Sequence, residues 1–232
     1  MSLNILVTGT SRGIGAVIAA SLSGHRVTGH ATTAGEGRIA ADLSRPGAAE
    51  ALWAEALARL GGIDVLVNNA GIFEAAPIEG DAEAWLATWR RSLTVNLTSA
   101  AELSRLAVLH FRERGGGRIV NVASRAAYRG DSPQHWHYAA AKAGMVAMTK
   151  TIARAYAAES ILAFAVCPGF VMTGMAEDYL ASRGGDKLLA DIPLGRVADP
   201  EEVGRTVAWL ATDAPASMTG AVLDINGASY VR

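Results

Sequence analysis

The chain has 232 residues, 50% of them hydrophobic, and a formal net charge of −1 from 21 basic and 22 acidic side chains. That suits one sizeable α/β core over residues 1–232 rather than two ordinary domains, and the balanced charge argues against a nucleic-acid partner or a polybasic membrane surface. No apolar run reaches the length of a membrane span, and the single cysteine, Cys167, offers neither an internal disulfide nor a metal cluster. With no basic leader before the first apolar run, a reducing, cytoplasmic setting is expected.

Strand-like and helix-like segments alternate along the chain. Asn4–Thr8 is a short apolar run, and Ile14–Leu22 has helical spacing of apolar residues. Arg26–His30 and Arg38–Leu43 read as short strands. Pro46–Leu60 reads as a helix with proline near its start. Ile63–Asn68 is a buried strand closed by Asn68-Asn69-Ala70-Gly71. Asp81 is placed to cap a helix with Ala84 and Trp85 in its first turn, and a longer helix follows over Thr94–Arg114. Gly115-Gly116-Gly117 ends it, and Arg118–Ala123 is the next strand. Trp136–Ala158 is a long helix, and Ile161–Val166 a strand stopped by Pro168-Gly169. Asp199-Pro200-Glu201-Glu202 starts another helix, with a capping Asp, an early Pro and acids at the positive dipole end. Ala221–Ile225 is the last strand. Runs of β then α without hairpin signals predict a doubly wound, Rossmann-like parallel sheet covered by helices on both faces. The longest irregular stretch, residues 170–194, follows a strand's C-terminal end, where ligands bind in such sheets.

Three groups of residues carry chemistry. Thr8-Gly9-Thr10-Ser11-Arg12-Gly13-Ile14-Gly15 follows the first strand and opens the first helix. Glycines there let the backbone approach a pyrophosphate, and the helix N-terminus supplies N–H groups and positive dipole. Tyr138 and Lys142, four apart on a helix, share one face. Ser124 stands fourteen residues before Tyr138, at a strand end. A free phenol titrates near ~10, and a neighbouring ammonium is expected to lower that value towards the range useful for proton transfer. Taken singly, each group has a plain alternative: a tight turn, a solvated helix face, a turn serine. Their order and spacing argue for a joint site.

TGxxxGIG, Asn68-Asn69-Ala70-Gly71, Ser124, Tyr138-xxx-Lys142 and Pro168-Gly169-xxx-Thr173 together resemble the short-chain dehydrogenase/reductase family, over nearly the whole chain. Ile192-Pro-Leu-Gly-Arg196 and Leu223-Asp-Ile-Asn-Gly227 are similar to the tail of its NADP-dependent ketoreductases, the 3-oxoacyl-acyl-carrier-protein reductases among them. The resemblance implies an oxidoreductase of a carbonyl and secondary alcohol pair, with Asn96, Ser124, Tyr138 and Lys142 as the catalytic set. Tyr138 would be the general acid/base and Ser124 would hold the substrate oxygen. Lys142 would also contact the nicotinamide ribose, and Asn96 would hold a water leading to solvent. The cofactor residues it implies are Gly9, Ser11, Arg12, Gly13, Ile14, Gly15, Asp42, Leu43, Asn69, Ala70, Gly71, Tyr138, Lys142, Pro168, Gly169, Val171 and Thr173, together with Thr32. The stretch Val27–Thr33 lacks the acid that NAD enzymes place on the ribose, Glu36 comes late, and Arg12 and Thr32 match positions that bind the extra phosphate. The cofactor is therefore expected to be NADP rather than NAD. A homotetramer is implied, with the two long helices packed on their copies through small residues such as Ala139, Ala143 and Ala147, and the tail near 222–232 as a second interface.

Some residues depart from that pattern. His135-Trp136-His137 precedes Tyr138, and the gap from Ser124 to Tyr138 is one residue longer than in the carrier-protein reductases. No third ligand accompanies the two histidines, so no metal is expected. The triplet either shapes the substrate wall or packs. Glu159 stands where the carrier-protein reductases have a basic docking residue, although Arg112 and Arg114 lie nearby. The expectation is a small carbonyl or alcohol substrate, with a carrier-protein reductase as the alternative and a non-catalytic NADP-sensing protein as a minor one. Phe170, Met172, Met175, Tyr179 and Leu180 are expected to line the substrate site. Cys167 reads as a packing residue, and Trp85 and Trp89 as packing or interface.

Overall fold

The computed structural model describes residues 2–172 and 185–232. Its centre is a seven-stranded sheet, all parallel, in the order β3-β2-β1-β4-β5-β6-β7. The strands are β1 (Asn4–Val7), β2 (Arg26–Ala31), β3 (Arg38–Ala40), β4 (Val65–Asn68), β5 (Gly117–Val122), β6 (Ile161–Pro168) and β7 (Val222–Ile225). The helices are α1 (Gly13–Ser21), α2 (Ala48–Leu60), α3 (Ala82–Leu93), α4 (Ser99–Arg114), α5 (Ala126–Arg129), α6 (Trp136–Tyr156), α7 (Gly185–Ala190) and α8 (Pro200–Thr212).

Strand periodicity divides the core into two layers. Ile5, Val7, Val65, Val67, Val120, Val122, Phe164 and Val166 point to the face covered by α1 and α8. Leu6, Leu66, Ile119 and Ala163 point to the other, against α2, α4 and α6. With both faces covered, β4 and β6 are buried along their whole length, which is why they read as unbroken apolar runs rather than alternating ones. The strand order reverses between β1 and β4. The chain leaves the C-terminal ends of those strands in opposite directions and opens a crevice there.

Several boundaries differ from the sequence reading, each for a local reason. Pro46 lies outside α2, because Gly47 turns left-handed at φ 77° and becomes the cap. Asp81 caps α3 as expected, its carboxylate accepting from the Ala84 N–H at 2.8 Å. The helix expected to begin at Thr94 instead continues from α3 through a π turn, Thr94–Thr98, into α4. β6 carries on through Pro168, because Cys167 and Pro168 pair with Asp224 and Ile225 of β7. The strand expected over 38–43 is only β3, since Leu43 turns into the core beside α2. Parallel neighbours ordinarily need a crossover of about a dozen residues or more. Here β2 and β3 are joined by residues 32–37 alone, with no helix. Gly29, whose N–H donates to the Gly37 carbonyl, leaves room for the Thr10 hydroxyl, which an added Cβ would meet at 2.4 Å.

Candidate active site

The glycine turn is built for close approach. Gly9 and Gly13 adopt φ 73° and 57°. A Cβ on Gly15 would fall 2.0 Å from the Gly9 carbonyl oxygen, so the helix start and the turn are in backbone contact. The first turn of α1 contains no acid, and its leading N–H groups point out of the helix end. Arg12 and Ser11 are exposed at this end, and Thr32 is exposed just past β2. A dinucleotide fits these residues: a backbone cradle without side chains, free amides, and a guanidinium and a hydroxyl for an added phosphate.

Two locks on this turn were not read from the sequence. His30 is buried, accepts the Gly9 N–H at Nδ1 (3.2 Å), and sits 2.9 Å through Nε2 from the Ala41 carbonyl. Donation to a carbonyl fixes the neutral tautomer, and burial holds the ring's pKa down. Asn69 and Ala70 both donate backbone N–H groups to the buried Thr8 hydroxyl at 2.9 Å, and the Asn69 amide donates to the Thr8 and Gly9 carbonyls. Asn69 therefore clamps the turn from the β4 side. Asp42 is exposed and bonded to Ser44 and Arg45, while Leu43 belongs to the core.

The chemistry-bearing residues meet at the C-terminal ends of β4, β5 and β6, around a cavity of about 700 Å³. Asn69, Gly71, Ser124, Tyr138, Lys142, Pro168, Gly169 and Val171 all border it. Ser124 follows β5, and its Oγ accepts the Ala126 N–H at 3.1 Å, opening α5. Tyr138 lies in the first turn of α6, hydrogen-bonded to Ser124. One turn on, Lys142 is 3% exposed and donates from Nζ to the Val122 carbonyl at 2.8 Å. Asn96 sits in the π turn. A π turn shifts the helical register, and here it brings the amide inward. Its Oδ1 accepts the Ile72 N–H, while its Nδ2 donates to the Ile72 carbonyl and the Ser92 hydroxyl. A Cβ on Gly71 would meet Asn96 Oδ1 at 2.8 Å and Lys142 Nζ at 3.7 Å, so the four expected catalytic residues share one small region. Below them, buried Asn68 bonds Asn121 at 2.9 Å and Asn121 bonds Thr149 at 2.8 Å, tying β4, β5 and α6 together.

The expected lowering of the Tyr138 phenol draws on Lys142 and on a positive nicotinamide together; the chain alone gives the opposite direction. The Tyr138 phenol is pushed up to about 12 by burial, against the pull of the Ser124 hydrogen bond. Burial brings Lys142 down to about 8. The ammonium lies 5.7 Å from the phenol ring centroid and spends its hydrogen bond on Val122. In the chain without nucleotide, burial outweighs the pull of the Ser124 hydrogen bond, which favours the neutral phenol.

The segment before Tyr138 divides three ways. His135 borders the cavity, stacked on Phe73 at 3.7 Å between centroids and bonded to Ser132. Trp136 turns outward, 52% exposed, against Trp85, which stacks on Trp89. His137 is buried near Trp89. Only His135 shapes the wall. Among the described residues there is no cluster of metal ligands. Phe170 borders the cavity, whereas Met172 packs on Ile192 and Val197. Thr173, Met175, Tyr179 and Leu180 lie outside the described residues. Cys167 is buried against Ala123 and Met145, a packing residue as expected.

A phenol and an ammonium side by side at the mouth of a dinucleotide cradle define the class, a nucleotide-dependent oxidoreductase. Comparison with known proteins gives the family. The family profile described as Enoyl-(Acyl carrier protein) reductase matches residues 11–228. The 3-oxoacyl-[acyl-carrier-protein] reductase of Vibrio cholerae is 36% identical, over 97% of this chain and 96% of its own. An acetoacetyl-CoA reductase of Rhizobium meliloti is 35% identical over 99% of both chains. The crystal structure of a putative short-chain alcohol dehydrogenase from Sinorhizobium meliloti 1021 superposes with a TM-score of 0.90, at 30% identity, over 99% of this chain and 97% of that one. A putative NAD(P) dependent gluconate 5-dehydrogenase from Beutenbergia cavernae, with bound NADP, gives 0.86 at 33% identity over 96% and 94%. The chain belongs to the short-chain dehydrogenase/reductase family.

Proposed function

We propose that the protein is an NADP-dependent oxidoreductase that interconverts a small carbonyl compound and its secondary alcohol, with Tyr138 as the proton-transfer group. The observation that carries this reading is the placing of Ser124, Tyr138 and Lys142 around one cavity at the strand ends, next to the glycine cradle. Support for NADP comes from exposed Arg12 and Thr32, from the absence of an acid over 27–33, and from the NADP bound by the Beutenbergia relative. When bound, NADPH would supply a hydride to the carbonyl carbon, and NADP+ would accept one from the carbinol carbon in the reverse direction.

The chain's own residues handle the proton. In reduction the substrate oxygen sits between the Ser124 hydroxyl and the Tyr138 phenol. A phenol held neutral is ready to give its proton to the alkoxide as charge develops, and Ser124 stabilises that charge. Lys142, buried beside the phenol, stabilises the phenolate left behind. Asn96 fixes the loop at Ile72 and Gly71 that forms the wall opposite Lys142.

A free small substrate is favoured over a carrier-bound one. Glu159 grips Arg112 through two bonds, at 2.6 and 2.9 Å, and Arg114 pairs with Asp64 at 3.1 Å. Arg112 and Arg114, the basic residues near Glu159, are thus each already paired with a carboxylate, which weakens their pull on an acidic carrier. The stacked rings of His135 and Phe73 add bulk to the cavity wall beside Tyr138. The test is Tyr138→Phe. Single-turnover reduction should fall by about 10²- to 10⁴-fold, while NADPH affinity stays within a few-fold of wild type. A near-normal rate would remove Tyr138 from the chemistry.

A further inference from the structure

Beyond Ser124 and Tyr138, the cavity ends in a corner that the hydride chemistry does not use. Two arginines reach it, Arg125 and Arg129. Arg125 directly follows Ser124, and its N–H donates to the Pro168 carbonyl, which anchors its backbone under β6. Its side chain is only 11% exposed, with the guanidinium 4.7 Å over the Phe170 ring. Among the described residues its one side-chain hydrogen bond is a long contact of 3.4 Å to Asp191 Oδ2. That same oxygen is already held by Arg129 at 2.7 Å, and Arg129 also donates to the Ser229 carbonyl. Two guanidiniums therefore share a single carboxylate oxygen.

A guanidinium presents five donors in a planar fork and is costly to bury without an anion to match it. Arg125 is largely buried and poorly matched. Burial and the neighbouring Arg129 both work against its charge. The other charged group at this end, Asp131, is exposed at the rim and accepts the Ser132 N–H. His135 has its Nδ1 engaged with Ser132, and burial lowers its pKa. Among the described residues, the corner inside the rim thus has two cations and one anion.

Resting on the carbonyl chemistry proposed above, we propose that this corner is a carboxylate subsite: Arg125, with Arg129 beside it, takes an acidic group on the substrate while Ser124 and Tyr138 hold its carbonyl. The substrate is then a short oxo acid or the matching hydroxy acid. Because Ser124, Tyr138 and Arg125 border the same cavity, a substrate of a few carbons can present its carbonyl and its carboxylate to them together. A phosphopantetheine thioester carries its phosphate many bonds from the carbonyl and cannot place charge there. The fork geometry also favours a carboxylate over a hydroxyl, because two parallel N–H groups meet two oxygens.

The experiment compares levulinate with its methyl ester, as kcat/KM with NADPH, in wild type, Arg125→Met and Arg129→Gln. Wild type should prefer the acid. Arg125→Met should lower the acid-to-ester ratio by about 10- to 100-fold, the loss of a charge-assisted pair. Arg129→Gln, at a more exposed position, should lower it less. A merely structural arginine would depress both substrates together and leave the ratio in place, and that result would overturn the subsite. So would a wild type indifferent to the carboxylate. Calorimetric titration of the NADP-bound protein with levulinate reads the subsite without turnover. Binding that weakens in Arg125→Met, with no carbonyl reduced, would keep the subsite and sink the proposed reaction. Turnover of neutral ketones with no carboxylate binding would do the reverse.

Discussion

Lys142 is expected to be a stability defect that function retains, and Lys142→Met tests it. The ammonium is 3% exposed, and its pKa falls from 10.5 to about 8 because burial penalises the charged form. That fall corresponds to about 3 kcal/mol against the folded state at neutral pH. Methionine has a similar length and no charge, so it removes this penalty. It also removes the bond to the Val122 carbonyl, at a cost of about 1 kcal/mol. The net gain is about 2 kcal/mol, or roughly 4–8 °C in Tm for a chain of this size. The pH dependence follows from the same shift. Between about 8 and 10.5 the folded protein has lost the Lys142 proton and the unfolded chain still binds it, so wild-type stability gains from this group as pH rises. The variant lacks that gain. Tyr138 acts in the opposite sense: its folded value of about 12 lies above 10, so its contribution is lost only above pH 10. Thermal melts of wild type and Lys142→Met without nucleotide, at pH 7 and pH 9.5, measure both effects. A variant no more stable than wild type at pH 7 would refute the desolvation argument, whatever happens to its activity.

Other outcomes are expected from single contacts. Arg12→Ala should weaken NADPH by about 10- to 100-fold and NADH little, since only the added phosphate loses its guanidinium; equilibrium titrations of both nucleotides check this. His30 has a folded pKa below 6.5, so the unfolded chain takes up its proton first and stability falls as pH drops through 6.5. In denaturant melts, the slope between pH 7 and 5 should be shallower in His30→Gln. In solution the chain should be a tetramer, because α6 leaves Ala147 exposed and Ala139 and Ala143 half-buried along one side; light scattering at micromolar concentration would contradict this with a monomer mass.

The parallel sheet was readable because strands covered on both faces leave unbroken apolar runs, as at 65–68 and 161–166. The glycine turn and the Tyr138–Lys142 pair were readable because their chemistry is local: a backbone without Cβ atoms, and two side chains one helical turn apart. What escaped depends on tertiary placement. Nothing in Thr94-Val-Asn-Leu97 announces a π turn, since its apolar spacing suits an ordinary helix equally well. His30 was noticed only as not being an acid; its role as a lock exists because β2 passes beside the turn. The sign of the Tyr138 shift depends on how dry the site is, and i,i+4 spacing does not measure dryness. Arg125 and Arg129 carry no signal in the sequence, because Asp191, which meets them both, is more than sixty residues away along the chain. Glu159 and Arg112 lie 47 residues apart in the sequence, and the fold makes them one ion pair.

The bare connection between β2 and β3 also bears on the order of folding. Their pairing joins Gly29 to Arg38, whereas β1 meets β4 through Ile5 and Val65. Closing a short loop costs less chain entropy, and local contacts form sooner than distant ones. The β2–β3 pair can therefore assemble early, before the centre of the sheet exists. Pairing of β1 with β4 must wait for the intervening chain to collapse, and that step, which creates the nucleotide crevice, should set the refolding rate. Substitutions at Ile5 or Val65 should slow refolding, and so should changes in the 32–37 turn that weaken the early β2–β3 pair, with little effect on the unfolding rate.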